Sequence, residues 1–211
     1  MRINWQYPRV AGLTLLELIV LIAVLALAIG LLLPTLVRVK PRSSKISCTY
    51  CLKQIGLSAR IFANDHGGLF PMAVSTNNGG SMEYVGKGEV FRHLRAMSDE
   101  LFTAKVVVCP ADSRKSAANF SVLSNTNISY FVGLDALDTL PQSLLAGDRN
   151  LMTNGVPVAN GILFLTTKLT VGWTTGLHNG SGNVVLGDGS VQTLTSARLW
   201  QQVTTNRLAI P

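Results

Sequence analysis

Between Leu13 and Leu33 the chain carries 21 residues of which only Glu17 is charged. At the rise of an α-helix that run measures about 31 Å, the length needed to cross a hydrocarbon core. The run therefore predicts a membrane-crossing helix, with Gly12-Leu13-Thr14-Leu15-Leu16-Glu17 at its mouth. An acid inside such a span costs up to roughly 2.5–3.5 kcal/mol at its centre and less near the interface, so Glu17 calls for a partner. A cleavable secretory signal does not fit, because Pro34-Thr35-Leu36-Val37-Arg38 offers no small-x-small site after the run. A plain signal anchor explains the hydrophobicity but leaves Gly12 and Glu17 without a role.

The charge is unevenly placed. Six of the 18 basic residues, Arg38, Lys40, Arg42, Lys45, Lys53 and Arg60, fall within residues 38–60 with no acid among them. From residue 61 onward 10 basic side chains meet 10 acidic ones, so the net charge of +7 comes from the leader and the neck. A nucleic-acid binder carries its basic side chains across a folded face, so no nucleic-acid partner is expected; a basic collar suits the anionic headgroups of a membrane. Removing the span leaves roughly 170 residues, enough for one compact core.

Past the run, Ile46, Cys48, Leu52, Ile55, Ala59 and Phe62 recur mostly at three- and four-residue gaps, which predicts an amphipathic helix from Ser43 ending near Asp65-His66-Gly67-Gly68. Pro34 and Pro41 should kink it or break it. Asn77-Asn78-Gly79-Gly80 reads as a turn, Lys105–Val108 and Ile162–Thr166 as short buried strands. Asn183–Leu186 and Val191–Leu194 flank Gly187-Asp188-Gly189-Ser190, predicting a hairpin closed by a type I′ turn, with Leu186 opposite Val191, Val184 opposite Thr193 and the apolar side against the helix.

Gly-x-Thr-Leu-x-Glu, here Gly12 to Glu17, followed at once by a long apolar run, resembles the signal of type IV prepilins and type II secretion pseudopilins. The resemblance implies cleavage after Gly12 by a prepilin peptidase and methylation of the new amine on Leu13, where the family prefers phenylalanine. It also implies that Glu17 meets the N-terminal amine of a neighbouring subunit, a pairing that low dielectric strengthens and whose halves are each penalised alone. Further motifs resemble a pseudopilin-like group abundant in planctomycetes and verrucomicrobia: Cys48-x-x-Cys51-Leu52-Lys53-Gln54-Ile55-Gly56, Asp65-x-Gly67-x-x-Phe70-Pro71, Cys109-Pro110-Ala111-Asp112, and His178 followed after nine residues by Asp188-Gly189. The implied fold is α+β and pilin-like: a long N-terminal helix, membrane-spanning in its first half, packed on a small antiparallel sheet with long loops. The implied layout is a leader over residues 1–12, a span over 13–37, a basic neck and amphipathic helix over 38–67, and a periplasmic β-rich domain over 68–211. Counting Lys and Arg alone favours the opposite orientation; the resemblance places the leader in the cytoplasm, the span in the bacterial inner membrane and the domain in the periplasm. The partners implied are the peptidase, other pilin or pseudopilin subunits and inner-membrane lipids.

Three cysteines cannot all pair within one chain, and Cys48-x-x-Cys51 lacks the second half of a zinc site. In an oxidising compartment either Cys48 or Cys51 can bridge to Cys109, worth roughly 2–4 kcal/mol; the resemblance favours Cys48. No thioredoxin-like alternation surrounds the pair. A catalytic reading of His178 and Asp188, with Ser181 or Ser190 as nucleophile, finds no Gly-x-Ser-x-Gly elbow or His-Glu-x-x-His. The expected structural roles are a turn for Asp188 and a loop hydrogen bond for His178. Asp148, Asn183 and Asp188 offer oxygens for a Ca²⁺ ion without EF-hand spacing, and no other cofactor is expected. The Asn-x-Ser sequons at Asn119, Asn127 and Asn179 carry no meaning in a bacterial cell. The chain is thus expected to be a filament subunit and not an enzyme; the alternative is an anchored periplasmic binding or enzymatic domain using His178 and Asp188.

Overall fold

The computed structural model describes residues 14–166, 168–203 and 206–211, without the side chains of 32–43 and 206. The chain divides into two units, Met1–Lys40 and Pro41–Pro211, although helix α1 is assigned over Leu15–Asp65. In the first unit α1 opens on a motif that the leader pattern had hidden. Glu17 accepts from the backbone N–H and the hydroxyl of Thr14, both at 2.9 Å, while Thr14 Oγ1 accepts from the Glu17 N–H at 3.3 Å. That reciprocal pair is a capping box, which satisfies donors left open at a helix start.

The pilin-like description needs correction on two counts. Among the described residues no helix is long and apolar enough to cross a membrane. The expected 21-residue span counts from Leu13 to Leu33, and side chains are described only for residues 14–31 of it. The sheet is also larger than expected: six antiparallel strands in one layer and three in a second.

In the second unit α1 is followed by two short helices, α2 (Val90–Arg95) and α3 (Ser98–Leu101), and then by strands β1 (Tyr130–Gly133), β2 (Leu144–Asp148), β3 (Leu151–Thr153), β4 (Val156–Pro157), β5 (Gly161–Leu165), β6 (Val171–Trp173), β7 (Ser181–Leu186) and β8 (Val191–Thr195). Helix α4 (Ser196–Gln202) and strand β9 (Asn206–Ile210) close the chain. The larger sheet runs β5-β9-β1-β2-β7-β8 and the smaller β4-β3-β6.

Strand alternation sends the two faces of the larger sheet into different cores. Tyr130, Val132, Ala146 and Val185 pack with the buried face of α1, Cys48, Leu52, Ile55, Ala59 and Phe62. Phe131, Leu144, Val184 and Leu186 pack instead with Trp173, Leu151 and Leu199 of the second layer. A bulge in β2 between Leu144 and Ala146 puts Leu145 and Ala146 on the same side. The helical stripe starts two residues later than its spacing suggested, because Ile46 is exposed. Its end is as expected: Gly67 and Gly68 have φ of 65° and 82°, and the Gly68 N–H reaches back to the Ala63 carbonyl at 2.7 Å.

Three local expectations change. Residues 104–107 form a 3-10 helix, not a strand, because the Thr103 hydroxyl accepts from the Lys105 N–H and starts a turn that buries Val106 and Val107. The strand expected at 162–166 is β5, an edge strand on which only Leu165 is buried and Phe164 is exposed. The late hairpin forms one residue out of the expected register, pairing Val185 with Val191 and Asn183 with Thr193. The Gly189 N–H bonds the Leu186 carbonyl, the Leu186 N–H bonds the Ser190 carbonyl, and in this loop Gly189 alone has positive φ, at 78°. That is a three-residue loop with a glycine bulge, not a type I′ turn. A one-residue slip exchanges faces: Val185 meets α1, and Val184 and Leu186 face the second layer.

Gly56 is what lets the hairpin sit on α1, since a Cβ there would lie 2.5 Å from Val185 Cγ2 and 3.4 Å from Gly189 Cα. Substituting Gly56→Ala should cost about 1–3 kcal/mol by overpacking despite alanine's better helix propensity. Urea unfolding of the full chain in detergent checks it, with a gain in stability as the contrary outcome.

His93 is fully buried, its Nδ1 2.8 Å from the Ser81 hydroxyl, and burial lowers its pKa to about 4 from 6.5. Between those values the unfolded chain takes up a proton that the folded chain refuses. Stability is therefore complete above about pH 6.5 and falls as pH drops toward 4, by about 3 kcal/mol. Comparing unfolding of wild type and His93→Gln at pH 7 and pH 4.5 should show the wild-type drop shrinking in the variant.

Candidate functional site

Four buried side chains converge between α1 and the larger sheet: Cys48 from α1, Cys109 from the loop after the 3-10 helix Ala104–Val107, Asp148 at the end of β2 and His178 from the loop before β7. One ligand atom from each lies within 4.8 Å of the others. The Cys48 thiol donates to Asp148 Oδ1 at 3.0 Å and lies 3.3 Å from the Tyr130 hydroxyl. Cys109 Sγ is 3.5 Å from His178 Nε2, which is in turn 3.4 Å from Asp148 Oδ2. The Ala111 N–H donates to Cys109 Sγ at 3.4 Å.

Asp148 is the centre of this arrangement. Its Oδ2 accepts from the backbone N–H of Asn183 at 2.7 Å and from the Asn183 side-chain amide at 3.0 Å. The Asn183 carboxamide oxygen is held by the hydroxyls of Thr49 on α1 and Thr193 on β8, at 3.3 and 2.7 Å, so the amide is oriented before it meets the carboxylate.

The environment sets the charges. The close approach of the Cys48 thiol, with help from His178 and the Ala111 N–H, lowers Cys109 to about 5 against the opposing effect of burial. The same contact with Cys109, together with burial and the charge of Asp148, raises Cys48, so Cys48 keeps its proton. Burial raises Asp148 to about 6 against the Cys48 and Asn183 hydrogen bonds. Burial pulls His178 down, but Cys109 and Asp148 together outweigh it and its pKa rises. Without a metal the cluster thus pairs a thiolate with an imidazole drawn toward protonation.

Of the residues singled out from sequence, Gly12 and Leu13 lie outside the described residues. Glu17 sits in the capping box. Cys48 and Cys109 are brought together, but as free thiols and not as a bridge. Cys51, one turn on, is half-buried and its thiol points to the Val108 carbonyl at 4.0 Å. His178 and Asp188 do not share a site. The Asp188 carboxylate accepts from the Ser190 N–H at 2.8 Å within the hairpin loop, while the His178 ring faces Cys109 and Asp148. Ser181 donates to the His178 carbonyl at 2.6 Å and accepts from Lys45, so it is not presented to the ring. Asp148 and Asn183 meet as acceptor and donor, not as two oxygens toward a calcium ion, and Asp188 lies in the separate loop. Two neck cations are engaged by the fold: Lys45 with Ser181, and Arg60 with Asp138 and the Gly187 carbonyl at 2.8 and 3.1 Å.

Sequence reasoning missed Asp148 as the partner of His178 and missed Tyr130 altogether. The signal was a carboxylate closing the apolar run Leu144-Leu145-Ala146-Gly147, a place where an acid is buried and needs donors. No family model, curated protein or solved structure matches the chain.

Replacing Asn183 by leucine keeps the branched outline of the side chain, with added bulk, but strips Asp148 Oδ2 of its side-chain donor. The variant should lose about 2–3 kcal/mol in urea unfolding at pH 7, the usual cost of a hydrogen bond removed from a buried charged group; a loss below about 0.5 kcal/mol contradicts the role given to Asn183.

Proposed function

We propose that this chain is a filament subunit of the type IV pilus or type II secretion pseudopilus kind, cut after Gly12, methylated on Leu13 and assembled through the apolar start of α1. The observation that carries the reading is the exposure of twelve large apolar side chains between Leu15 and Leu31, from Leu15 at 77% to Leu31 at 67%. Burying a side chain of this kind is worth roughly 1.5–3 kcal/mol, so covering the stretch is worth on the order of 20 kcal/mol. That exceeds the 5–15 kcal/mol that typically holds a whole domain together, so the stretch demands a cover. In this reading the cover is the same stretch of neighbouring subunits, side by side in a filament core. Before assembly the subunit is kept at the bacterial inner membrane with residues 68–211 on the periplasmic side.

Glu17 then has two tasks. Within its own chain it caps α1 through Thr14. In the filament its carboxylate answers the methylated amine of a neighbouring Leu13, an ion pair in an apolar surrounding that neither partner tolerates alone.

Two measurements test this. Mass spectrometry of the N-terminus from native membranes should find chains beginning at methylated Leu13; chains beginning at Met1 contradict it. Glu17→Gln keeps a side chain able to serve the capping box but loses the charge. It should leave the protein's abundance unchanged and lower filament incorporation at least tenfold in sheared-filament fractions. Normal incorporation reduces Glu17 to a helix cap.

A further inference from the structure

We propose that Cys48, Cys109, Asp148 and His178 form a structural zinc site that ties α1 to the larger sheet. The donor set is two sulfurs, one imidazole nitrogen and one carboxylate oxygen, a combination suited to four-coordinate Zn²⁺. Tetrahedral zinc with bonds of about 2.3 Å to sulfur and about 2.0–2.1 Å to nitrogen and oxygen sets ligand edges of about 3.3–3.8 Å. The Cys109 Sγ to His178 Nε2 separation of 3.5 Å and the His178 Nε2 to Asp148 Oδ2 separation of 3.4 Å already lie in that range. The 3.0 Å contact from Cys48 to Asp148 Oδ1 is a hydrogen bond that loses its proton on metal binding and opens by about half an ångström.

The surroundings are those of a metal site and not of a disulfide. Outer groups already hold the ligands: the Tyr130 hydroxyl on Cys48, the Ala111 N–H on Cys109 and both Asn183 donors on Asp148 Oδ2. A Cys48–Cys109 bridge would remove the thiol proton that Asp148 accepts and the sulfur that faces His178, leaving a buried carboxylate and imidazole with fewer partners. Zinc satisfies all four at once. Two thiolates, one carboxylate and a neutral imidazole around Zn²⁺ leave one net negative charge, and the Lys45 ammonium, bonded to Ser181 three residues past His178, lies close enough to offset it. All four ligands are buried, so the ion is closed to substrate and its work is structural.

The test uses the full chain, purified in detergent under reducing conditions without added metal. Elemental analysis should find one zinc per chain, and prolonged chelation should remove it with a fall in the midpoint of thermal unfolding that added Zn²⁺ restores. Cobalt added to the chelated protein should give thiolate charge-transfer bands and the intense visible bands of a tetrahedral ion. Cys109→Ser and His178→Ala should each weaken zinc binding at least 100-fold in chelator competition, while Cys51→Ser keeps one zinc per chain. Folding of the variants is checked by circular dichroism, and the wild-type chelation result stands if they fail to fold. The proposal is overturned if wild type holds no zinc and gives only the weak spectrum of octahedral cobalt. It is equally overturned if non-reducing peptide mapping of protein from its native cells shows Cys48 joined to Cys109.

Discussion

The carboxylate of Asp148 is completely buried, and the second unit is arranged around keeping it partnered. An acid in that position is tolerated only where donors surround it. Asn183 supplies two from β7 and Cys48 supplies one from α1, while His178 approaches from the loop between them. These three partners come from three different segments, so the helix, the two central strands and the loop cannot shift independently without exposing a charge to an apolar core. The threonines on either side of Asn183 extend the same network to α1 and β8.

Packing works in concert with this network. The larger sheet is covered on both faces, by α1 and its neighbours on one side and by the smaller sheet with α4 on the other. Gly56 lets Val185 and the hairpin loop come against the helix, and Arg60, one turn further on, clasps the loop through the Gly187 carbonyl and Asp138. The cysteine cluster lies near the same helix at Cys48, so the apolar and polar attachments of α1 to the sheet are two turns apart.

The first unit obeys a different rule. Its apolar side chains between Leu15 and Leu31 are exposed, and its one acid closes a capping box with Thr14. The Thr-x-x-Glu spacing is a helix-start signature in its own right, which the leader-like Gly12 to Glu17 pattern overshadowed. A local role and an assembly role for the same carboxylate are compatible, because the cap needs only an acceptor oxygen, which glutamine also offers, whereas an ion pair needs the charge.

What could be read from the chain itself was local. The helical stripe from Cys48 to Phe62, the glycine stop at Gly67-Gly68 and the position of the late hairpin follow from spacing and turn residues over a few neighbours. The hairpin's register was not local: it turned on whether Asp188 joined Gly189 in the left-handed region, and because Gly189 alone did so the pairing shifted by one residue and moved Val185 to the helix side. The long apolar run promised a membrane crossing that no described helix is long and apolar enough to make. Still less could sequence choose partners for the polar residues. His178 lies ten residues from Asp188 but binds across to Cys109, 69 residues away, and Cys48 reaches Asp148 at a separation of 100. Composition and periodicity by themselves determined where the helix and hairpin form, because those depend on adjacent residues. Only the tertiary structure decided which four side chains meet, because burying both faces of one sheet brings together segments that no local pattern relates.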